Sequence, residues 1–167
     1  RIKEFLLIIS KNIYKIIMIF TVMEKIITAD NTETFMNFEV GESYHSQTGA
    51  VEEALKKYAM PCKIAEKALT GKVRILDAFF GMGYNSAMAI DVALEANPNC
   101  VIEVVGLEFD NEIVSKITEV NPPIKFFKHY SKLISEGEFT EGNVNVKLVM
   151  GDARETCKEL SEDSFDA

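Results

Sequence analysis

The sequence has few of the residues that cross-link small proteins or bind zinc, with three cysteines and two histidines among 167 residues. The cysteines, Cys62, Cys100 and Cys157, are odd in number and form no C-x-x-C pair. Such a set excludes a disulfide scaffold and argues against a Cys/His zinc site. We therefore expect free thiols in a reducing cytoplasm and no bound metal ion.

Positive charge is also scarce. Lysine and arginine number 18 against 26 aspartates and glutamates, which gives a formal net charge of -8. Residues 1–22 carry a local charge of +3, so the rest of the chain carries -11. A surface of that charge does not hold a polyphosphate by overall attraction. Any nucleic-acid site must therefore be a local patch.

A long uninterrupted hydrophobic run is missing as well. The apolar stretch from Phe5 to Phe20 is broken by Lys11 and Lys15, and it is shorter than the ~20 residues that span a bilayer. It has no Ala-x-Ala cleavage site of a signal peptide. Its helical spacing suits an amphipathic helix, packed on the protein or lying on a membrane surface. Alternatively, residues 1–22 are an extension that is not native. A membrane contact is expected only if this segment is native.

The remaining sequence is that of a globular protein, with 47% hydrophobic and 26% charged residues. Two β-prone runs around Asp30 and Asn31 predict a hairpin, followed by a polar loop and two short helices. From residue 73 onward, apolar strands and helices alternate, and a fourth strand is expected to begin at Phe165. This pattern predicts an α/β fold in which helices cover both faces of a parallel sheet. The predicted strands are 73–78, 101–107 and 144–150; the predicted helices are 51–58, 62–69, 85–95, 110–120, 124–134 and 153–160, and a loop is predicted at 136–143.

Three carboxylates follow the predicted strands of this sheet: Asp77, Glu108 and Asp152. Ligands of open parallel sheets bind outside the carboxyl ends of the strands, so we expect these side chains to share one site. Glu108 suits the two hydroxyls of a ribose, and Asp152 suits the exocyclic amine of adenine. The turn with Gly81 and Gly83 lets the backbone approach a ligand closely. Together these residues predict a nucleoside site.

The residues around the turn also indicate which nucleoside cofactor is bound. A dinucleotide fingerprint needs a third glycine, where this chain has Ser86. Asp77 lies just before the turn, where it would repel a pyrophosphate but attract an ammonium or sulfonium group. S-adenosylmethionine carries both groups, so the pattern favours a methyltransferase over a nicotinamide oxidoreductase.

Several motifs resemble those of class I S-adenosylmethionine-dependent methyltransferases, and in particular the MnmC-type family. The resemblance covers residues 25–167, and a Rossmann-like fold is what it implies. The stretch Glu42-Ser-Tyr44-His45-Ser46-x-x-Gly49-Ala50 is its most specific part. The other matching segments are Thr28-x-Asp30-Asn31-Thr32-x-Thr34, Ile75-Leu-Asp77-x-x-Phe80-Gly81-x-Gly83-Tyr84-Asn85 and Gly151-Asp152-Ala153.

The resemblance implies methylation of an aminomethyl group on the wobble uridine of tRNA, with S-adenosylmethionine as cofactor and tRNA as partner. The implied cofactor-binding residues are Tyr44, Ser46, Asp77, Gly81, Gly83, Asn85, Glu108, Asp152 and Ala153. Phe79 stands where the family has its first glycine. We expect the family's next strand, which carries its Leu-Asp-x-Phe-x-Pro motif and the catalytic residue, to lie beyond Ala167.

Two alternatives stay open at this point: a methyltransferase of the same fold with a small-molecule or protein substrate, and a non-catalytic fragment. The expected organisation is an extension at 1–22, a hairpin, loop and helix unit at 23–60, and the first half of a cofactor-binding domain at 61–167.

Overall fold

The computed structural model describes residues 23–38 and 40–167. The predictions for residues 1–22 lie outside these ranges. The described chain begins with a small antiparallel sheet of β1 (Met23–Ile27), β2 (Glu33–Asn37) and β3 (Glu42–Ser43), in that order. The pairing of Met23 with Asn37 and of Ile27 with Glu33 confirms the predicted hairpin.

The turn between β1 and β2 is held by Asp30. Its carboxylate accepts hydrogen bonds from Thr28 Oγ1 at 2.6 Å, from the Thr32 backbone N–H at 3.1 Å and from the Glu52 backbone N–H at 3.0 Å. Glu52 lies in the first turn of the following helix, so this one side chain joins the hairpin to that helix. Burial alone raises the pKa of Asp30, but these hydrogen bonds outweigh it and lower the pKa well below its usual value.

Asp30→Ala is expected to lower the free energy of unfolding by about 2 kcal/mol, because it leaves several donors of the turn and of the helix start without their acceptor. Urea unfolding at neutral pH measures the loss. Glu162→Ala, at an exposed position, is the control and should change stability by less than about 0.5 kcal/mol. Equal stability of the two variants would contradict the joining role of Asp30.

The main sheet has four strands in the order β4-β5-β7-β6. Its strands are β4 (Lys72–Asp77), β5 (Val101–Glu108), β6 (Glu138–Glu141) and β7 (Val144–Met150). β4, β5 and β7 run parallel, whereas β6 pairs antiparallel with β7. The parallel arrangement and the flanking helices confirm the predicted α/β fold.

The helices pack against this sheet and on each other. They are α1 (Ala50–Glu53), which continues as a π-helix (Ala54–Ala59), α2 (Ile64–Ala68), α3 (Tyr84–Ala96), α4 (Asn111–Ser115), α5 (Ser131–Glu136) and α6 (Ala153–Thr156). Short 3-10 turns cover Lys116–Glu119, Phe126–His129 and Cys157–Glu159. The helix predicted at 110–120 is α-helical at Asn111–Ser115 and 3-10 at Lys116–Glu119, and the helix predicted at 124–134 is 3-10 at Phe126–His129 and α-helical at Ser131–Glu136.

One predicted loop was wrong. Residues 136–143 contain the strand β6, which forms a hairpin with β7 through Gly142 and Asn143. At the other edge of the sheet, the chain at Asp166 runs beside β4: the Asp166 N–H donates to the Arg74 carbonyl at 2.8 Å, and the Leu76 N–H donates to the Ala167 carbonyl at 2.8 Å. This segment lies where the fourth strand was expected, although it does not form the regular hydrogen-bond pattern of a β-strand.

Candidate functional site

The three predicted carboxylates meet at the carboxyl edge of the main sheet. Asp77 ends β4 opposite Gly106 of β5, and Glu108 ends β5 opposite Met150 of β7. The Gly151 N–H donates to the Glu108 carbonyl at 2.8 Å, which brings Asp152 next to the end of β5. The three residues therefore lie at one edge of the sheet, but Asp77 lines a different cavity from Glu108 and Asp152. Their sharing of one site and their binding roles stay predictions.

Glu108 ties the glycine turn to its own strand. One of its oxygens accepts from the Gly81 N–H at 2.6 Å, and the other accepts from the N–H groups of Phe109 and Asp110, both at 2.8 Å. Three backbone donors on a carboxylate leave room for a further donor, because its two oxygens offer about four acceptor positions. Glu108 can thus hold the turn and still receive a ribose hydroxyl.

Asp152 begins α6 and is paired with Arg154. Its carboxylate accepts from the Arg154 backbone N–H at 2.9 Å and from Nε of the same side chain at 3.0 Å. These interactions lower the pKa of Asp152 to about 2, the side-chain hydrogen bond from Arg154 contributing most. The Arg154 side chain is almost fully exposed. A ligand that donates a hydrogen bond to Asp152 would therefore share the carboxylate with the exposed guanidinium of Arg154.

Glu108, Asp152 and Ala153 line one cavity of about 360 Å³. This size lies within the range of about 300–1,000 Å³ typical of small-molecule sites. The remaining lining residues are Ala78, Phe79, Leu107, Phe109 and Arg154. The cavity thus combines carboxylates, which can accept hydrogen bonds from the hydroxyl and amine groups of a nucleoside, with apolar side chains that can contact its base.

Asp77 lies deeper than the other two carboxylates. It is 9% exposed. Burial raises its pKa to about 6, although the nearby Ser86 lowers the pKa in part. Its Oδ2 atom is buried and accepts no hydrogen bond from any residue that the structure describes. A buried acceptor without a donor is costly in a folded protein, and such atoms often mark the place of a ligand.

Asn85 presents a second acceptor of the same kind. Its Oδ1 atom is buried and, within the described ranges, has no donor. Asn85 and Asp77 line the same small cavity of about 80 Å³. Asn85 also lines a larger cavity of about 440 Å³ on its other side, so it lies between the two spaces.

The two glycines of the turn face different surroundings. Gly81 is buried, and a Cβ on it would come within 3.8 Å of the Tyr44 ring, which is a normal contact distance. A Cβ on Gly83 would lie 2.4 Å from the Tyr130 ring and 2.5 Å from the Phe80 ring. Gly83 is therefore required by packing under the turn, and Gly81 is the glycine that faces the candidate site.

The polar loop after β2 covers the larger cavity. The Tyr44 hydroxyl donates to Asp110 and accepts from Asn37 Nδ2 at 3.2 Å, so it joins the small sheet to the main one. Burial and the hydrogen bond to Asp110 raise the pKa of Tyr44. The Ser46 N–H donates to Glu53 Oε2 at 2.6 Å. Tyr44 and Ser46 both line the cavity of about 440 Å³.

His45 has a different environment from its neighbours in the motif. It is buried, stacks on Tyr84 with ring centroids 4.6 Å apart, and shares a hydrogen bond of 2.9 Å between Nδ1 and Thr34 Oγ1. Burial lowers its pKa to about 4, although Glu53 and Asp30 oppose the shift. His45 is thus neutral at physiological pH, and its contacts support the position of the loop.

These cavities fit the implied cofactor. Two buried acceptors that have no donor among the described residues suit an ammonium, and the cavity at Glu108 and Asp152 suits a nucleoside. Sequence reasoning missed the exposed rings of Phe79 and Phe109 in that cavity, and it missed Tyr58, which lines both spaces next to Asn85. A phenylalanine one or two positions after a strand-end carboxylate, Phe109 after Glu108 and Phe79 after Asp77, was the available signal for the two rings.

Two searches of the described residues found nothing further. No group of three or more His, Cys, Asp or Glu side chains in residues 23–38 and 40–167 is placed to hold a metal ion. No helix in these ranges is long and apolar enough to cross a membrane.

Similar proteins include one solved structure and one curated sequence. The crystal structure of MnmC2 from Aquifex aeolicus superposes with a TM-score of 0.72 and 34% identity, over 84% of this chain and 46% of that one. The uncharacterized protein MJ0670 of Methanocaldococcus jannaschii is 31% identical over 134 residues, or 76% of this chain and 35% of that protein. The chain thus spans less than half the length of either. No protein-family model matches the sequence.

Proposed function

We propose that the chain binds S-adenosylmethionine and acts as a tRNA-modifying methyltransferase, because its described residues form an MnmC-type methyltransferase domain. The proposed methyl acceptor is an aminomethyl group on the wobble uridine of tRNA. The proposal is supported by the resemblance of the motifs, by the similarity to MnmC2 and by the geometry at the carboxyl edge of the sheet.

The observation that carries the proposal is a pair of buried acceptors that have no donor among residues 23–38 and 40–167, Asp77 Oδ2 and Asn85 Oδ1. Both line one small cavity of about 80 Å³, together with Ser86 and apolar side chains of β4 and the neighbouring helices. A bound ammonium group would supply the missing donors and, at the same time, would compensate the buried charge of Asp77. A nicotinamide dinucleotide brings its pyrophosphate to such a turn, and the nearby carboxylate would repel it.

Each part of the site has a proposed task. Asp77 and Asn85 hold the amino-acid end of the cofactor, Tyr44 and Ser46 cover it, and Gly81 passes close to its middle. Glu108 receives the ribose hydroxyls, and Asp152 with Ala153 faces the adenine edge. When bound, the cofactor supplies an electrophilic methyl group. The protein's contribution is alignment, and well-aligned reactants can lower a barrier by several kcal/mol.

Calorimetry with S-adenosylhomocysteine tests the cofactor assignment. Glu108→Ala is expected to weaken binding by at least tenfold, because hydrogen bonds to a charged group contribute about 1.5–3 kcal/mol. Since Glu108 also holds the turn, thermal unfolding of each variant must be recorded alongside. Asp152→Asn is the companion variant, because asparagine keeps the start of α6 capped; Glu162→Ala is the control. Binding of NAD in place of S-adenosylhomocysteine would overturn the assignment.

The acceptor is tested separately with tRNA that carries the aminomethyl group. Incubation with methyl-labelled cofactor should transfer label to this tRNA and not to tRNA that lacks the amine. The charge of -11 on residues 23–167 favours a second candidate, a small-molecule or protein acceptor, because such a surface does not attract RNA. Cofactor binding without labelling of the tRNA would support that candidate or a non-catalytic fragment, and labelling of a protein or small-molecule amine would separate the two.

A further inference from the structure

Cys62 lines the same small cavity as Asp77 and Asn85. Its thiol is free and exposed, so a reagent can reach it from solvent. Asp77 is 9% exposed, and its Oδ2 atom and Oδ1 of Asn85 receive no hydrogen bond from the described part of the chain. The thiol therefore borders a space with two buried acceptors that suit the donors of a ligand.

The backbone holds Cys62 beside this cavity. Its N–H donates to the Tyr58 carbonyl at 3.0 Å, and the Lys63 N–H donates to the Met60 carbonyl at 2.9 Å. The helix α2 that follows is anchored by Ile64, which is 1% exposed and lines the same cavity. Cys62 thus lies in a hydrogen-bonded turn between two packed segments, and a group attached to its sulfur would stay next to the cavity.

The other two cysteines of the sequence lack this combination. Cys100 is buried, and burial raises the pKa of its thiol, which makes it a poor nucleophile. Cys157 is exposed, but it lines none of the cavities described above. Of the three thiols, only that of Cys62 is both accessible and adjacent to the two acceptors.

We propose that Cys62 is a site of reversible thiol modification, at which a small disulfide such as oxidised glutathione reacts and blocks the cavity at Asp77. The Cys62 thiolate attacks one sulfur of the disulfide, a new S–S bond forms and the existing S–S bond breaks. The Cys62 sulfur is oxidised, the released sulfur is reduced, and one molecule of thiol leaves with the proton that Cys62 gave up. The inference rests on the proposed function, which assigns this cavity to the amino-acid end of the cofactor.

The size of the cavity explains the expected effect. Its volume of about 80 Å³ is far below the about 300–1,000 Å³ of a typical small-molecule site, so it does not hold an attached peptide and a ligand group together. A glutathionyl group on Cys62 would compete with the cofactor for Asp77 and Asn85. The affinity for S-adenosylhomocysteine should fall at least about tenfold, because the ammonium would lose a hydrogen bond to a charged acceptor.

Modification and binding are measured on the same protein. The chain is incubated with oxidised glutathione, peptide mass mapping locates the adduct, and calorimetry measures the affinity for S-adenosylhomocysteine. We expect an adduct on Cys62, the loss of affinity, and its recovery after reduction with dithiothreitol. Cys62→Ser should keep the same affinity before and after treatment. Cys157→Ser is the matched control, because it removes the other exposed thiol, and it should respond to treatment as the wild type does.

Protection by ligand tests the same geometry in the opposite direction. Saturating S-adenosylhomocysteine should slow the reaction of Cys62 with N-ethylmaleimide and should leave the reaction of Cys157 unchanged. Adenosine lacks the amino-acid end, so it should not protect Cys62. Equal protection by both compounds would place the thiol away from the amino-acid end and would contradict the inference.

The outcomes separate this inference from the proposed function. Absence of S-adenosylhomocysteine binding to the untreated wild type would refute the proposed function. Unaltered binding by protein that carries the adduct on Cys62 would overturn the inference and leave the proposed function in place, and so would a Cys62 that fails to react while Cys157 reacts. Circular dichroism should show that the treated protein stays folded, and unfolding by the adduct would likewise count against a block of the cavity.

Discussion

Replacing Asp77 by asparagine is expected to stabilise the protein above pH 6 and to remove cofactor affinity in the same variant. Burial raises the pKa of this carboxyl from 3.8 to about 6. The folded state therefore binds the proton more tightly than the unfolded state does. The resulting stabilisation is fully present below the unfolded value of 3.8, and it is lost as the pH rises through about 6.

The size of this effect is about 3 kcal/mol, which corresponds to the difference between the two pKa values. Asparagine stays neutral, so the variant avoids the cost of a buried charge at pH 7.5. Urea unfolding at pH 4 and at pH 7.5 measures this difference. The free energies of unfolding of the wild type and of Asp77→Asn should be nearly equal at pH 4 and should differ at pH 7.5. Glu162→Gln, at an exposed position, should follow the wild type throughout. Parallel curves for Asp77→Asn would show that the carboxyl is not held at a raised pKa.

The ligand affinity should move in the opposite direction. If an ionised Asp77 receives the ammonium of the cofactor, binding of S-adenosylhomocysteine to the wild type strengthens as the pH rises through about 6. Asp77→Asn should bind at least tenfold more weakly at pH 7.5 and show a flat profile, because a hydrogen bond between charged groups contributes more than one between neutral groups. A more stable protein that has lost its ligand would identify Asp77 as a residue retained for binding.

Gly83→Ala is expected to lower the free energy of unfolding by about 3 kcal/mol. Two costs add together. A residue with a side chain is destabilised by about 1–2 kcal/mol at the φ of +81° found here. Overpacking in the core typically adds about 1–3 kcal/mol. The new methyl group would meet Tyr130 and Phe80 at less than 3 Å. Both rings are fully buried, so neither can move aside without disturbing the turn that positions the site.

Gly142→Ala is the matched control for this substitution. Gly142 also has a positive φ, of +58°, but a Cβ there meets no described atom within 4 Å. It should therefore show the backbone cost alone, about 1–2 kcal/mol. Thermal or urea unfolding of both variants separates strain from packing. Equal losses in the two would mean that the aromatic rings adapt, and that packing does not select the glycine at position 83.

The positions of the strand-end carboxylates could be predicted because they depend on local patterns. Apolar runs fixed β4, β5 and β7, and the parallel order of an alternating chain brings the residues after each strand to one edge. Asp77, Glu108 and Asp152 follow from those two facts. Their hydrogen-bond partners do not, since they depend on backbone N–H groups in turns whose course is set by tertiary packing.

The environment of Gly83 shows the same limit. The glycine turn could be predicted from the sequence. That Phe80 and Tyr130 fill the space over Gly83 could not, because Tyr130 lies 47 positions further along the chain. The burial of Asp77 was equally hidden. A carboxylate after a strand is normally solvated, and only the packing of several elements around it removes the water.

β6 was missed for a different reason. Glu138–Glu141 is a four-residue strand with charged ends, so it lacks the apolar run by which the other strands of this sheet were recognised. The connection Gly142-Asn143 is a recognised two-residue hairpin signal and would have located it. A short alternating strand beside a long apolar one is better detected from its turn than from its own composition.

The same short strand governs how the protein meets other copies of itself in solution. β6 forms one border of the main sheet, and a border with free N–H and C=O groups can recruit a strand from another molecule. Here that border is only four residues long and carries Glu138 and Glu141. Glu141 is paired with Lys132 at 2.8 Å, so the like charge that opposes an approaching second copy is mainly that of Glu138. Growth of the sheet across this side is therefore opposed electrostatically at this residue. Added salt, which screens such repulsion, should therefore increase self-association in concentrated solution.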